Sequence, residues 1–100
     1  MPKTQTKQEN TIQFKVKEPP MYDVIMLNDD VTTMDFVVRV LIRVFHKSEE
    51  VAQSLMIKIH LEGSAVVGTY SKDIAMSKAQ LTMQLAKAEG FPLKVIVKEK

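Results

Sequence analysis

The hydrophobic and polar positions change period several times along the chain, and each change marks an element. Met21 to Leu27 is short, apolar-rich and bounded by Pro19-Pro20 before it and Asn28-Asp29-Asp30 after it, which is the profile of a strand. Phe36, Val37, Val40, Leu41, Val44 and Phe45 then recur at helical spacing and predict a first helix over roughly 33–46. Thr32-Thr33-Met34-Asp35 has the form of a capping box, with Thr32 as N-cap and Asp35 reaching back. Ser48 is the N-cap candidate of a second helix, with Glu49 and Glu50 in its first turn, where the helix dipole favours negative charge. Its apolar stripe is Val51, Ala52, Leu55, Met56 and Ile59, and it ends near His60 to Glu62, with Gly63 suited to the position just beyond.

Ala65 to Tyr70 reads as a second strand, in which Gly68 marks a bulge or a close backbone approach. Ser71 or Asp73 caps a third helix whose shared apolar face is Ile74, Ala75, Leu81, Leu85 and Ala88, and Gly90 supplies the stop. Pro92 opens the last strand, where Leu93, Val95 and Val97 alternate with Lys94, Ile96 and Lys98, a half-buried pattern for all but Ile96. The order is strand, helix, helix, strand, helix, strand. Three short strands pack most economically as an antiparallel sheet with three helices on one side, an α+β fold in a small single domain.

Residues 1–18 differ from the rest. They are rich in Lys, Gln and Thr, carry only isolated apolar residues (Ile12, Phe14, Val16) and end at Pro19-Pro20, so they are expected to form a flexible N-terminal arm before a core domain spanning 19–100. A chain of 100 residues with 45% hydrophobic composition supports one modest core. The net charge is only +2, with both signs interspersed, and the chain has only six aromatic residues. A nucleic-acid module is therefore disfavoured, although stacking needs just two or three aromatics on one sheet. Cysteine is absent, which excludes disulfides, thiolate metal sites and cysteine nucleophiles and suits a reducing cytosol. No apolar stretch has signal-peptide or membrane-spanning length, so a soluble, cytoplasmic monomer without membrane attachment is expected.

Catalytic and cofactor motifs fail one by one. GSAVVG at 63–68 opens like a phosphate loop but continues with Thr69 and Tyr70 where Lys and Ser or Thr are required. Ser64 lacks the flanking glycines of a nucleophile elbow, and His46 and His60 have neither a Cys nor metal-ligand spacing. No catalytic residue, cofactor or metal is expected, and the protein is read as a binder, not an enzyme.

One constellation remains. Asn28 and Asp29 follow the first strand, and His60 ends the second helix, so all three can meet at one end of that strand if the helix runs back along the first. An amide oxygen, a carboxylate and a neutral imidazole nitrogen are all acceptors and suit an ammonium, which only donates. Met34, Val37, Met56 and Ile59 could line an apolar hole beside them, with Leu93 as its floor. An ammonium held next to an apolar hole describes the first residue of a polypeptide. Each residue also has a plainer role: the Asn-Asp-Asp run as a strand-to-helix turn, the methionines as core filler, and His60 as a partner of the helix dipole.

The stretch MYDVIMLNDDVTTMDFVVRVL, the later AQSLMIKIH, Gly63 to Tyr70, the following helix with Lys78, and FPL at 91–93 resemble, in order and spacing, the ClpS family of adaptor proteins. The likeness covers about 21–99. It implies an adaptor that binds proteins bearing a destabilising N-terminal Leu, Phe, Tyr or Trp (an N-degron) and delivers them to a Clp AAA+ unfoldase of the ClpA or ClpC type, in bacteria or in a plastid stroma. By that resemblance the α-amino contacts fall on Asn28, Asp29 and His60. The side-chain pocket falls on Asp30, Thr32, Met34, Val37, Met56, Ile59 and Leu93, with Asp30 and Thr32 at the rim and Met34 as a gate against β-branched residues. Asp73 and Lys78 would dock on the unfoldase's N-terminal domain, and the arm would engage the unfoldase during hand-over. Three positions depart from the family pattern: Val31 where an aromatic is common, Thr33 where Pro is common, and Met76 where an acid is usual. The first two bear on side-chain preference and the third on docking. A different reading is a protein-interaction module like the C-terminal domain of the ribosomal stalk protein, in which the spacing from Asn-Asp-Asp to His would serve no purpose.

Overall fold

A computed structural model describes residues 19–100, so the expected arm at 1–18 lies outside the described residues. The elements are β1 (Tyr22–Leu27), α1 (Met34–Arg43), α2 (Glu49–Glu62), β2 (Ser64–Tyr70), α3 (Lys72–Ala88) and β3 (Val95–Glu99). They form the expected α+β arrangement, with β1 at the centre of an antiparallel sheet of order β2-β1-β3.

Alternation along the strands sorts the sheet into two faces. Val24, Met26, Val67 and Val95 are buried together with Phe36, Val40, Leu41 and Phe45, and this is the core between sheet and helices. Ile25 pairs with Val66 on one side and Ile96 on the other, and these three form a row on the opposite face, where Val66 and Ile96 are exposed. That placement accounts for Ile96, the one apolar residue out of phase in the last strand.

Gly68 fulfils both of its expected roles. The register slips between Val24 and Ile25, which face Gly68 and Val66, leaving Val67 as the extra residue of a bulge. A Cβ at Gly68 would also collide with the Tyr70 ring, 2.6 Å from Cε2. Gly63 closes α2 with φ +92, a left-handed conformation that costs glycine little.

Four expectations are corrected. The N-cap of α1 is Thr33, whose Oγ1 accepts from Phe36 N at 3.2 Å, and the Thr32 hydroxyl turns back to Asp29 instead. With the cap one residue later, Asp35 no longer stands three residues beyond it, and no capping box forms. The helix stops at Arg43, short of 46, because His46 adopts φ +57 and Lys47 N reaches back to Leu41 O at 3.0 Å. Val44 and Phe45 stay buried after the helix has ended, which is why the apolar period runs past it.

The face of α3 is the third correction. Ala75, Ala79, Thr82 and Ala86 are buried, whereas Ile74, Leu81 and Leu85 are each more than 40% exposed and Ala88 is exposed. Larger residues on α1 and β1 already fill the core, so a helix laid across the sheet approaches closely only through small side chains. The buried Thr82 hydroxyl donates to Lys78 O at 2.8 Å, so the one polar group on that face is satisfied. Finally, β3 begins at Val95 and not at Pro92, although Leu27 N already donates to Lys94 O at 3.0 Å.

Candidate functional site

The C-terminal end of β1 is where three parts of the chain converge. Leu27 pairs with Ser64, and Asn28 N donates to Gly63 O at 2.9 Å, so the loop leaving β1 is fastened to the last turn of α2. The turn that follows is built around Asp29. Its Oδ1 accepts from Val31 N at 2.8 Å and Thr32 N at 2.7 Å, and its Oδ2 accepts from Thr32 Oγ1 at 2.7 Å. This is the self-bonded Asp turn that the residues alone suggest, and it leads directly into the Thr33 cap of α1.

Asp29 is half-buried. Burial raises its pKa, but the Thr32 N–H, the Thr32 hydroxyl and the Val31 N–H together outweigh burial and hold it below the ordinary value of 3.8. The carboxylate is thus locked in place and charged at neutral pH. Two oxygens have about four lone-pair sites and these three bonds use three, which leaves acceptor capacity towards an incoming cation.

Around this turn lies a cavity of about 210 Å³. Asn28, Asp29, Asp30, Thr32 and His60 supply its polar wall, and Met34, Val37, Met56 and Ile59 its apolar wall. Met34 and Val37 lie one turn apart on α1, and Met56, Ile59 and His60 share a face of α2, so each helix contributes consecutive turns. An apolar cavity of about 150 Å³ accommodates benzene, so this one has room for a Leu or an aromatic side chain. Leu93, expected as the floor, is 5% exposed in the core and is not among the lining residues. Among the described residues, no group of three or more His, Cys, Asp or Glu could hold a metal ion.

The two residues expected to dock on a partner differ sharply. Asp73 is exposed in the first turn of α3. Lys78 is half-buried: Nζ donates to Val44 O at 2.6 Å, at the C-terminus of α1, and lies 5.9 Å and 5.3 Å from the Phe45 and Tyr70 ring centroids. A cation at a helix C-terminus between two aromatic faces is a structural fastening between α1, α3 and β2. The spacing of Lys78 gave no hint of it, because Val44, Phe45 and Tyr70 are distant in sequence.

Fold and cavity define a small α+β domain with a fixed carboxylate in a recess that is polar on one wall and apolar on the other. The family of the ATP-dependent Clp protease adaptor protein ClpS matches this chain over residues 17–96. The ClpS adapter protein of Campylobacter jejuni (strain RM1221) is 50% identical over 99 residues, covering 99% of each chain. That of Neisseria gonorrhoeae (strain ATCC 700825 / FA 1090) is 51% identical over 81 residues, 81% of this chain and 78% of that one. Agrobacterium tumefaciens ClpS2 bound to L-phenylalaninamide is 41% identical, with a TM-score of 0.80, over 83% of this chain and all of that one. The chain belongs to the ClpS family of Clp protease adaptors. No helix among the described residues is long and apolar enough to cross a membrane.

Proposed function

We propose that this chain binds proteins through a hydrophobic N-terminal residue (Leu, Phe, Tyr or Trp) and delivers them to a Clp AAA+ unfoldase in the cytoplasm, without catalysis of its own. The observation that carries this reading is the preset Asp29 carboxylate at the mouth of a recess walled by Met34, Val37, Met56 and Ile59. The α-ammonium would donate to Asp29, Asn28 and His60 while the side chain enters the recess. Asp30 and Thr32 stand at the rim, and Met34, at the first position of α1, acts as a gate against β-branched side chains. That a related ClpS2 was solved with L-phenylalaninamide, an aromatic residue with a free amine, supports the same chemistry here.

Hydrogen bonds to a charged group contribute about 1.5–3 kcal/mol each, and burial of a Leu or Phe side chain roughly 1.5–3 kcal/mol, against an association cost of ~4–15 kcal/mol. Affinity of about micromolar order, roughly 8 kcal/mol, lies at the favourable end of these ranges, and selectivity should be sharper than affinity, because an acetylated or internal residue presents no ammonium to the three acceptors. Docking on the N-terminal domain of a ClpA or ClpC type unfoldase would fall chiefly on exposed Asp73, with Lys78 holding the α1 end in place beside it. Met76, exposed where the family usually has an acid, leaves that surface one negative charge short. The polar segment 1–18 would serve as the arm that engages the unfoldase, ahead of the domain at 19–100.

The test is fluorescence anisotropy with labelled ten-residue peptides beginning with Phe, Leu or Val and with N-acetylated Phe. Binding of the Phe and Leu peptides alone is expected. Equal binding of the acetylated peptide would remove the amine from the mechanism.

A further inference from the structure

Two of the four apolar side chains that wall the recess are thioethers, Met34 and Met56. Met34 is 49% exposed at the mouth, and Met56 lies half-buried behind it. With no cysteine in the chain, its methionines are the only sulfur that an oxidant can reach. They are sorted by burial: Met26 is fully buried, whereas Met21, Met76 and Met83 are exposed but away from this recess. We propose that the recess is a site of reversible methionine oxidation, in which a peroxide converts Met34, and Met56 after it, to the sulfoxide and switches off peptide capture.

The step balances without a cofactor. The thioether sulfur attacks one peroxide oxygen, an S–O bond forms as the O–O bond breaks, sulfur is oxidised by two electrons, and the second oxygen leaves as water once it takes the proton from the transferred one. The product carries a strongly polar S=O group on the apolar wall shared with Val37 and Ile59, which have no hydrogen-bond donor, while the Thr32 hydroxyl is already given to Asp29 and Asn28 and His60 are engaged by the peptide amine in the reading above. Seating a Phe or Leu side chain against that oxygen would strip it of water without replacing the bond, so affinity should fall by about tenfold or more. Oxidation of Met76 or Met83, on the far side of α3, puts nothing into the recess. The proposal rests on the peptide-binding reading above.

The experiment treats the full chain with hydrogen peroxide, maps the added oxygen by peptide mass spectrometry, and measures anisotropy with the Phe peptide before and after. Expected are oxygen addition at Met34, an unchanged melting temperature, a roughly tenfold or greater loss of affinity, and recovery with a pair of methionine sulfoxide reductases, one for each epimer. A variant with Met21, Met76 and Met83 all replaced by Leu should show the loss in full. A Met34→Leu, Met56→Leu variant, whatever its own affinity, should show no peroxide-dependent change. Undiminished binding by the oxidised protein, or the same loss in the Met34→Leu, Met56→Leu variant, would overturn the switch while leaving the peptide-binding reading intact. Failure of the untreated protein to bind the Phe peptide would overturn both.

Discussion

Replacing Asp29 by Asn tests the site at its most exacting point, because the substitution separates charge from scaffold. Oδ1 would persist as the amide oxygen and could still accept from Val31 N and Thr32 N. The Thr32 hydroxyl, which donates to Oδ2, can rotate to accept from the new amide N–H. The turn should therefore survive, whereas Ala would delete three hydrogen bonds and disturb the entry of α1. What disappears is the negative charge facing a peptide ammonium. A hydrogen bond to a charged group contributes about 1.5–3 kcal/mol, and each 1.4 kcal/mol is tenfold, so affinity for a Phe peptide should fall by about 10- to 100-fold. The assay is anisotropy titration beside a thermal melt. Unchanged affinity with a normal melt would refute the role given to this carboxylate. Affinity should also trace a plateau in pH. It should decline above pH ~8, as the free amine loses its proton (pKa ~7.7–8.0), and the part contributed by Asp29 should be lost as its carboxylate protonates below its ordinary 3.8. The sign for stability is the same at the acid end. A carboxylate with a depressed folded pKa contributes stability above its unfolded value and loses it as pH falls through the folded one.

Lys78→Ala removes the bond to Val44 O and two aromatic contacts, and should cost about 1–2 kcal/mol after allowance for partial exposure. In a domain of this size that lowers the melting temperature by several degrees, and an unchanged melt would mean the fastening contributes nothing. Gly68→Ala should destabilise by roughly 1–3 kcal/mol, read in a urea titration, because its methyl meets the Tyr70 ring; a neutral result would show that the ring moves aside freely. Ser48→Ala removes an acceptor for Val51 N at 3.2 Å and should cost about 1 kcal/mol in the same titration. Thr33→Pro, towards the common family residue, should change stability by less than about 1 kcal/mol, since φ −77 already suits proline and the lost cap is offset by a stiffer unfolded chain.

The linear sequence was sufficient for what depends on near neighbours. Strand and helix order, the Ser48 cap, the Gly63 stop and the irregularity at Gly68 all follow from residues within a few positions of one another, where period and backbone preference act directly. The apolar face of α1 was legible from its period, and that of α2 in part: Ala52 and Ile59 are buried and Leu55 and Met56 half-buried, but Val51, expected on the same stripe, is 45% exposed. Asn28, Asp29 and His60 were legible as candidates because they sit at element ends that meet if α2 runs back along α1; Asp30 and Thr32 came only with the family resemblance, and Leu93, expected as the floor, does not line the recess. Tertiary structure decided the rest. On α3 it turned Ala75, Ala79, Thr82 and Ala86 inward in place of Ile74, Leu81 and Leu85, because a filled core leaves room only for small side chains. Between two adjacent threonines it chose Thr33 as the cap, because Thr32 was already committed to Asp29. It drew Lys78 against Val44, Phe45 and Tyr70, a partnership between residues far apart in sequence. Propensity and period report a residue's own preferences; which neighbour has already taken the space or the hydrogen bond is known only once the elements are packed.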